Sequence, residues 1–223
     1  MIPWELLSTT KSPDKKSELT LLKRDTEYSI RINGLELMNS RMYSSEEILA
    51  ELPCKAIAGR KDVCVLIGGL GMGYTLSAAL KNLNAESKVI VSEFFPSVVQ
   101  WNREILGKLA GFPLDDSRVS VLVEDVVKVI KDANSKFDAI LLDVDNGPDG
   151  LTREDNNRLY SIAGLNKIKN ALKPGGVVSI WSASEDNRFT KKLKKTFSRV
   201  TEKKVRARAN KKGPLHTIWL AKR

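Results

Sequence analysis

Between Asp62 and Lys81 the chain runs for eighteen residues, 63–80, without a charged side chain. That length is the lower limit for a membrane-spanning helix. The stretch nevertheless contains Gly68, Gly69, Gly71 and Gly73, together with Thr75 and Ser77. An apolar run precedes the glycines and a helix-like segment follows them, so the spacing predicts a buried strand, a glycine turn and a helix. A buried strand–loop–helix therefore explains the stretch better than a membrane span.

From that point strand-like and helix-like segments alternate. Apolar runs at 63–67, 88–92, 119–123, 137–142 and 177–181 read as strands, and 74–83, 96–106, 126–133 and 155–172 read as helices. Pro96 suits a first helical turn, where its missing N–H is no loss. Pro174-Gly175-Gly176 is expected to end the fourth helix and turn into the next strand. Such alternation predicts βαβ units and a doubly wound α/β fold, its sheet mostly parallel with helices on both faces. After Arg188 the pattern changes to a helix at 189–197 and two strands, 200–208 and 215–221, read as an antiparallel terminal hairpin.

The first sixty residues read differently. Short strand candidates lie at 18–23, 28–32 and 35–38, and Asn33-Gly34 between the last two is a strong hairpin signal. Ser44 and Ser45 before Glu46-Glu47 are expected to cap a helix running to about Leu52. The expected organisation is a small β-rich lobe over 1–60 and an α/β ligand-binding domain over 61–223.

Composition narrows the function classes. With 42% hydrophobic and 29% charged residues, the chain can bury a core, which excludes global disorder. Two cysteines, Cys54 and Cys64, make no disulfide framework and match no metal-ligand spacing, so no metal is expected. The opening residues carry no basic segment ahead of an apolar one, and a cytoplasmic location is the expectation. The net charge of +10 points at first to a nucleic-acid partner. Residues 188–223, however, hold 14 Lys and Arg against the single acid Glu202, whereas the preceding residues hold 23 basic and 26 acidic side chains. The body is mildly acidic. Polyanion binding, if the chain has it, belongs to the terminal segment around Lys191, Lys192, Lys194 and Lys195, which also reads as the solvated face of a helix.

Gly69, Gly71 and Gly73 end the first parallel strand as a G-x-G-x-G turn, where absent Cβ atoms let backbone approach a ligand at the sheet's carboxyl edge. The spacing departs from the dinucleotide G-x-G-x-x-G pattern, which disfavours a nicotinamide cofactor. Glu93, twenty residues after Gly73 at the next strand tip and followed by Phe94, suits a carboxylate accepting both ribose hydroxyls of an adenosine group. Glu124 and Asp125 follow the strand at 119–123. Asp125 is either an acceptor for an adenine amino group, a helix N-cap, or both. Asp143-Val144-Asp145-Asn146-Gly147-Pro148 follows the strand at 137–142 and places carboxylates where they would accept protons from, or align, a nucleophilic amine; its other reading is an Asx turn. The lone His216 lies in the terminal hairpin, away from the parallel strand tips, and reads as structural.

These residues resemble the spermidine synthase (polyamine aminopropyltransferase) family, on the class I methyltransferase-type Rossmann fold with a seven-stranded sheet. The resemblance rests on the β-rich lobe, the glycine loop, Glu93, Glu124-Asp125 and Phe137-Asp138-x4-Asp143. It is closest to a compact bacterial branch through Gly68–Thr75, the run Val98-Val99-Gln100-Trp101-Asn102-Arg103, and the segments around Trp181 and Trp219. It implies an adenosyl sulfonium co-substrate, S-adenosylmethionine or its decarboxylated form, held by Gly69, Gly71, Gly73, Glu93, Phe94, Glu124 and Asp125. Asp143 and Asp145 would be the catalytic carboxylates, and Asp143 and Asn146 the contacts to a small-molecule amine acceptor. The resemblance also implies pairing into a homodimer, since family members often pair.

The chain departs from the family at several of these positions. Met72 stands where the family's glycine loop carries the acid that binds the donor amine, and the family's Tyr-His-Glu reads Ser45-Glu46-Glu47. Asn146 replaces the second Asp of an Asp-x-x-Asp pair, and no Gln matches around Leu37, Met38 and Asn39. Aminopropyl transfer to a polyamine is the first expectation. Methyl transfer from S-adenosylmethionine, which Met72 favours, and non-catalytic nucleoside or polyanion binding are the alternatives.

Overall fold

The computed structural model describes residues 2–144, 158–208, 210 and 212–223. A seven-stranded sheet forms the body in the order β10-β11-β9-β8-β5-β6-β7. Its strands are β5 (Cys64–Gly68), β6 (Lys88–Glu93), β7 (Val119–Val123), β8 (Phe137–Leu142), β9 (Leu172–Ser182), β10 (Arg199–Arg206) and β11 (Leu215–Lys222). Strands β9, β8, β5, β6 and β7 are parallel, and β11 adds antiparallel to β9, with β10 antiparallel outside it. A separate four-stranded antiparallel sheet holds β1 (Glu5–Lys11), β2 (Glu18–Arg24), β3 (Glu27–Ile32) and β4 (Leu35–Asn39). This is the expected doubly wound α/β architecture with its N-terminal β-lobe and terminal hairpin.

Side-chain alternation explains why the central strands bury both faces. In β5, Val65 and Ile67 enter one core while Leu66 enters the other; in β8, Ala139 and Leu141 oppose Ile140 and Leu142 in the same way. The first face is covered by α1 (Ser44–Ala56), α2 (Tyr74–Asn82), α3 (Pro96–Trp101) and the lobe. The second is covered by α5 (Val126–Lys131), α6 (Ile162–Ala171) and α7 (Asn187–Thr196). Each fully buried Leu, Ile or Phe here contributes about 1.5–3 kcal/mol relative to exposure. The uncharged stretch 63–80 becomes β5, the glycine loop and most of α2, and no described helix is long and apolar enough to cross a membrane.

Several elements differ from expectation. Residues Glu5–Lys11 form an unanticipated edge strand, paired with β2 through a bulge between Leu6 and Ser8; largely exposed, it lacks the alternation that marks a half-buried strand. Helix α1 continues past Leu52 through Pro53, because the loss of one N–H so near its end is offset by burial of Cys54. Its cap differs too: Tyr43 occupies the N-cap position without a side-chain bond, and the Ser45 hydroxyl turns instead to Glu46 and His216. Pro174-Gly175-Gly176 lies inside β9, where the register with β8 shifts between Phe137 and Ala139. Gly175, at φ 69°, absorbs that bulge. The helix expected at 96–106 stops at Trp101, continues as a π-turn over Asn102–Leu106 and ends in the short α4 (Gly107–Ala110).

The register fixes where a site forms. Gly68 lies beside Ser92 on β6 and Leu142 on β8, and Glu93 beside Val123 on β7, so four strand ends meet at one edge. Sequence-adjacent strands depart in opposite directions between β5 and β8, which opens a crevice there.

Candidate active site

A cavity opens at that crevice, lined from the sheet by Gly69, Gly71, Glu93, Asp125 and Asp143, and from the lobe by Leu19, Ile30, Leu37 and Met38. Phe94 also lines it. The loop is held open by its own backbone. Gly69, at φ +88°, packs so tightly on Asp143 that an added Cβ would stand 2.4 Å from the Asp143 carbonyl oxygen. Gly73, at φ +84°, is the N-cap of α2, lies against Asn102 and Pro113, and is not part of the cavity wall.

Glu93 is buried and organises the loop: Leu70 N–H donates to Oε2 and Phe95 N–H to Oε1, both at 2.8 Å. Burial pushes this carboxyl above its ordinary value, and backbone hydrogen bonds from Phe95, Leu70, Phe94 and Gly71 oppose the shift. Asp125 accepts from Val127 N–H at 2.9 Å, so it caps α5 while lining the cavity. Glu124 pairs through its side chain with Lys128 and offers its main-chain carbonyl to the Ser92 hydroxyl at 2.7 Å. Asp145 and Asn146 lie outside the described residues.

Asp143 stands half-buried just beyond the tip of β8, with Thr75 donating its hydroxyl to Oδ2 at 2.7 Å. Burial raises it to about 6 in spite of that bond. Across the same cavity lies Glu46, in the first turn of α1, raised to about 8 by burial and then by the charge of Asp143. The sequence placed Glu46 in the first turn of a capped helix and as a substitution in a family stretch, not in the site. A carboxylate in a first helical turn has the appearance of a surface dipole partner, and nothing local signals that it is buried. Thr75 and Trp181 were also missed; Trp181 lines the cavity, and its indole N–H has no partner among the described residues. Met72 packs wholly into the core, so the glycine loop presents no acid to the cavity from that position.

Asp138, the other carboxylate of Phe137-Asp138-x4-Asp143, sits at the opposite end of β8, about 16 Å away by strand rise. It accepts from Arg60 at 2.9 Å, Lys173 at 2.6 Å and Cys64 N–H at 2.9 Å. Against burial, which pushes it up, those donors hold it below its ordinary value. It ties strands together at the edge away from the site.

Asn102 links the π-turn to the loop. Its Nδ2 donates to Val98 O at 2.9 Å, within its own helix, and to Gly71 O at 2.8 Å. A side chain entering the helical ladder is a physical cause of such a turn.

Residues 42–211 match the spermine/spermidine synthase domain family. The chain belongs to that family. A polyamine aminopropyltransferase of Sulfolobus acidocaldarius is 30% identical over 112 residues, which are 50% of this chain and 36% of that one. One of Escherichia fergusonii is 29% identical over 133 residues, 59% of this chain and 43% of the relative. The matched part of the chain thus spans well under half the length of these curated relatives. The crystal structure of spermidine synthase from Thermotoga maritima superposes with a TM-score of 0.75 over 97% of this chain and 72% of that one, at 18% identity. A spermidine synthase complex with the transition-state analogue AdoDATO gives 0.74 with the same coverage and identity. At such identity these structures establish a shared fold.

Proposed function

We propose that the chain is a transferase that moves an aminopropyl group from decarboxylated S-adenosylmethionine to an amine acceptor. Membership of the family supports this reading, and one observation carries it: two carboxyls, buried Glu46 and half-buried Asp143, face one cavity beside the glycine loop. Gly69 and Gly71 would admit the nucleoside, Glu93 its ribose hydroxyls and Asp125 its adenine amino group. A sulfonium is already an activated leaving group, so alignment of amine and carbon supplies most of the catalysis. Both co-substrates are cationic, and carboxyls in a partly desolvated cavity attract them more strongly than in water. Glu46 thereby brings a carboxyl to the cavity where Met72 leaves the glycine loop without one.

Incubation with decarboxylated donor and putrescine should release methylthioadenosine. Ordinary S-adenosylmethionine with the same acceptor should release no S-adenosylhomocysteine. Asp143→Asn should lower turnover by about 10²–10⁴-fold, the range for a positioned proton-transfer group. Release of S-adenosylhomocysteine instead, or an Asp143→Asn protein with unchanged turnover, would overturn the reading.

A further inference from the structure

Ser45 is completely buried and its hydroxyl meets two partners, Glu46 Oε2 at 2.6 Å and His216 Nδ1 at 2.9 Å. A serine hydroxyl has one proton, so it donates to one partner and accepts from the other. With Glu46 ionised, Ser45 donates to Glu46 and Nδ1 carries the proton that binds Oγ. With Glu46 protonated, the acid donates to Oγ and Ser45 donates to a bare Nδ1. The chain therefore has two proton arrangements, related by moving one proton along each bond. His216 closes the outer end: half-buried in β11, it stands edge-on to Trp181, ring centroids 4.7 Å apart, and Trp181 forms part of the cavity wall.

We propose that Ser45 and His216 are positioning residues of a proton relay, carrying a proton out from the Glu46–Asp143 pair when an acceptor amine reacts. The inference rests on the amine-transfer reading. The acceptor ammonium gives one proton to the Asp143 carboxylate. The freed nitrogen pair forms the N–C bond, and the C–S pair stays on sulfur as the thioether of methylthioadenosine. Glu46 passes its proton through Ser45 to Nδ1 while the Nε2 proton leaves to solvent; the ionised Glu46, lining the same cavity, then takes the Asp143 proton, and the imidazole returns to its starting tautomer by losing the Nδ1 proton and regaining one at Nε2. One proton is released and no oxidant or reductant is required.

The surrounding charges favour the arrangement that starts this cycle. Burial first, then Asp143, and to a smaller extent neighbouring Glu47, push Glu46 up, whereas its bond from Ser45 pulls it down. Tyr74, on α2, is held in its neutral form by burial and by Tyr43, Glu46 and Glu47, and Lys81 of α2 acts on Glu47. Burial pushes His216 down, so its imidazole is neutral where Glu46 still holds its proton.

His216 is the only histidine, so its ring nitrogens are identified without assignment. Nitrogen-15 spectra of the full chain from pH 5 to 10 should show Nδ1 bare at neutral pH and proton-bearing above the Glu46 titration near 8. Glu46→Gln, isosteric and neutral, should abolish that tautomer change, and Ser45→Ala should do the same. If Ser45→Ala does not fold, Glu46→Gln decides alone. A tautomer that never changes in the wild type, or that changes equally in Glu46→Gln, overturns the relay. In turnover, His216→Gln should lose about a hundredfold at pH 7 with the amine KM unchanged, and added imidazole should restore part of the rate. Product formation with an unaltered rate and pH profile in His216→Gln would also overturn it. A wild type that forms no methylthioadenosine but shows the tautomer change would sink the transfer reading and leave the proton chain standing.

Discussion

Asp138 and Asp143 show how one strand gives two identical side chains opposite fates. Asp138, among Lys173, Arg60 and a backbone N–H, is held low; Asp143, desolvated in the cavity with the Thr75 hydroxyl as its donor among the described residues, rises to about 6. Glu46 rises further, to about 8. Raised carboxyls bind protons more tightly in the folded chain than in the unfolded one. Their contribution to stability is complete below the ordinary carboxylate range and is lost as pH rises through 6 and then 8. Glu46→Gln removes the upper part of that loss. Its melting temperature should match the wild type near pH 4 and exceed it at pH 9, by about 2–4 °C per kcal/mol in a chain of this size. Parallel melting curves from pH 4 to 9 would remove the assignment. The sequence displayed Glu93, Asp125 and Asp143 because each follows an apolar run that declares a strand tip. Glu46 follows no strand, and only the packing of α1 against the sheet turns it inward.

The elements were legible where hydrophobic period and turn chemistry agree. Asn33 and Gly34 both take positive φ, 48° and 83°, as an Asn-Gly hairpin turn demands. Strands β7 and β8 fall on the expected residues because both their runs end at charged or small polar side chains. Strand β1 and the π-turn were not legible: one depends on pairing with β2, the other on Asn102 reaching a loop thirty-one residues earlier in sequence. Two glycines with nearly equal φ separate conformation from close approach. Gly34 would meet nothing within 4 Å of an added Cβ, whereas Gly69 would meet the Asp143 carbonyl at 2.4 Å. Gly34→Ala should therefore cost only the left-handed strain, about 1–2 kcal/mol. Gly69→Ala should cost visibly more in urea unfolding and should weaken nucleoside binding, because the loop and the Asp143 backbone must part. Equal midpoints for the two variants would contradict the close packing.

At the scale of the whole molecule, the net charge of +10 describes two regions with different tasks. Nine of the fourteen basic residues of 188–223 lie on α7 and on β10, a strand at one edge of the sheet, where Arg199, Lys203, Lys204 and Arg206 discourage pairing with another sheet edge. The acidic body keeps its buried carboxyls at the crevice, and the lobe closes that crevice with Leu19, Ile30, Leu37 and Met38. Leu19 and Ile30 belong to the same continuous core as Val65, Ile67 and Val91 of the main sheet, so the lobe is packed onto the sheet as one apolar body. A nucleoside bound in the cavity as proposed would touch both sheets, and any opening that lifts the lobe would release it. At a ligand concentration one hundred times Kd, binding to the closed form alone stabilises it by about 2.7 kcal/mol, roughly a hundredfold slowing of such openings. Amides of β2 and β3 should then exchange about a hundredfold more slowly with methylthioadenosine bound. Slowing confined to β5, β6 and β8 would mean that the lobe opens independently of the ligand and takes no part in holding it.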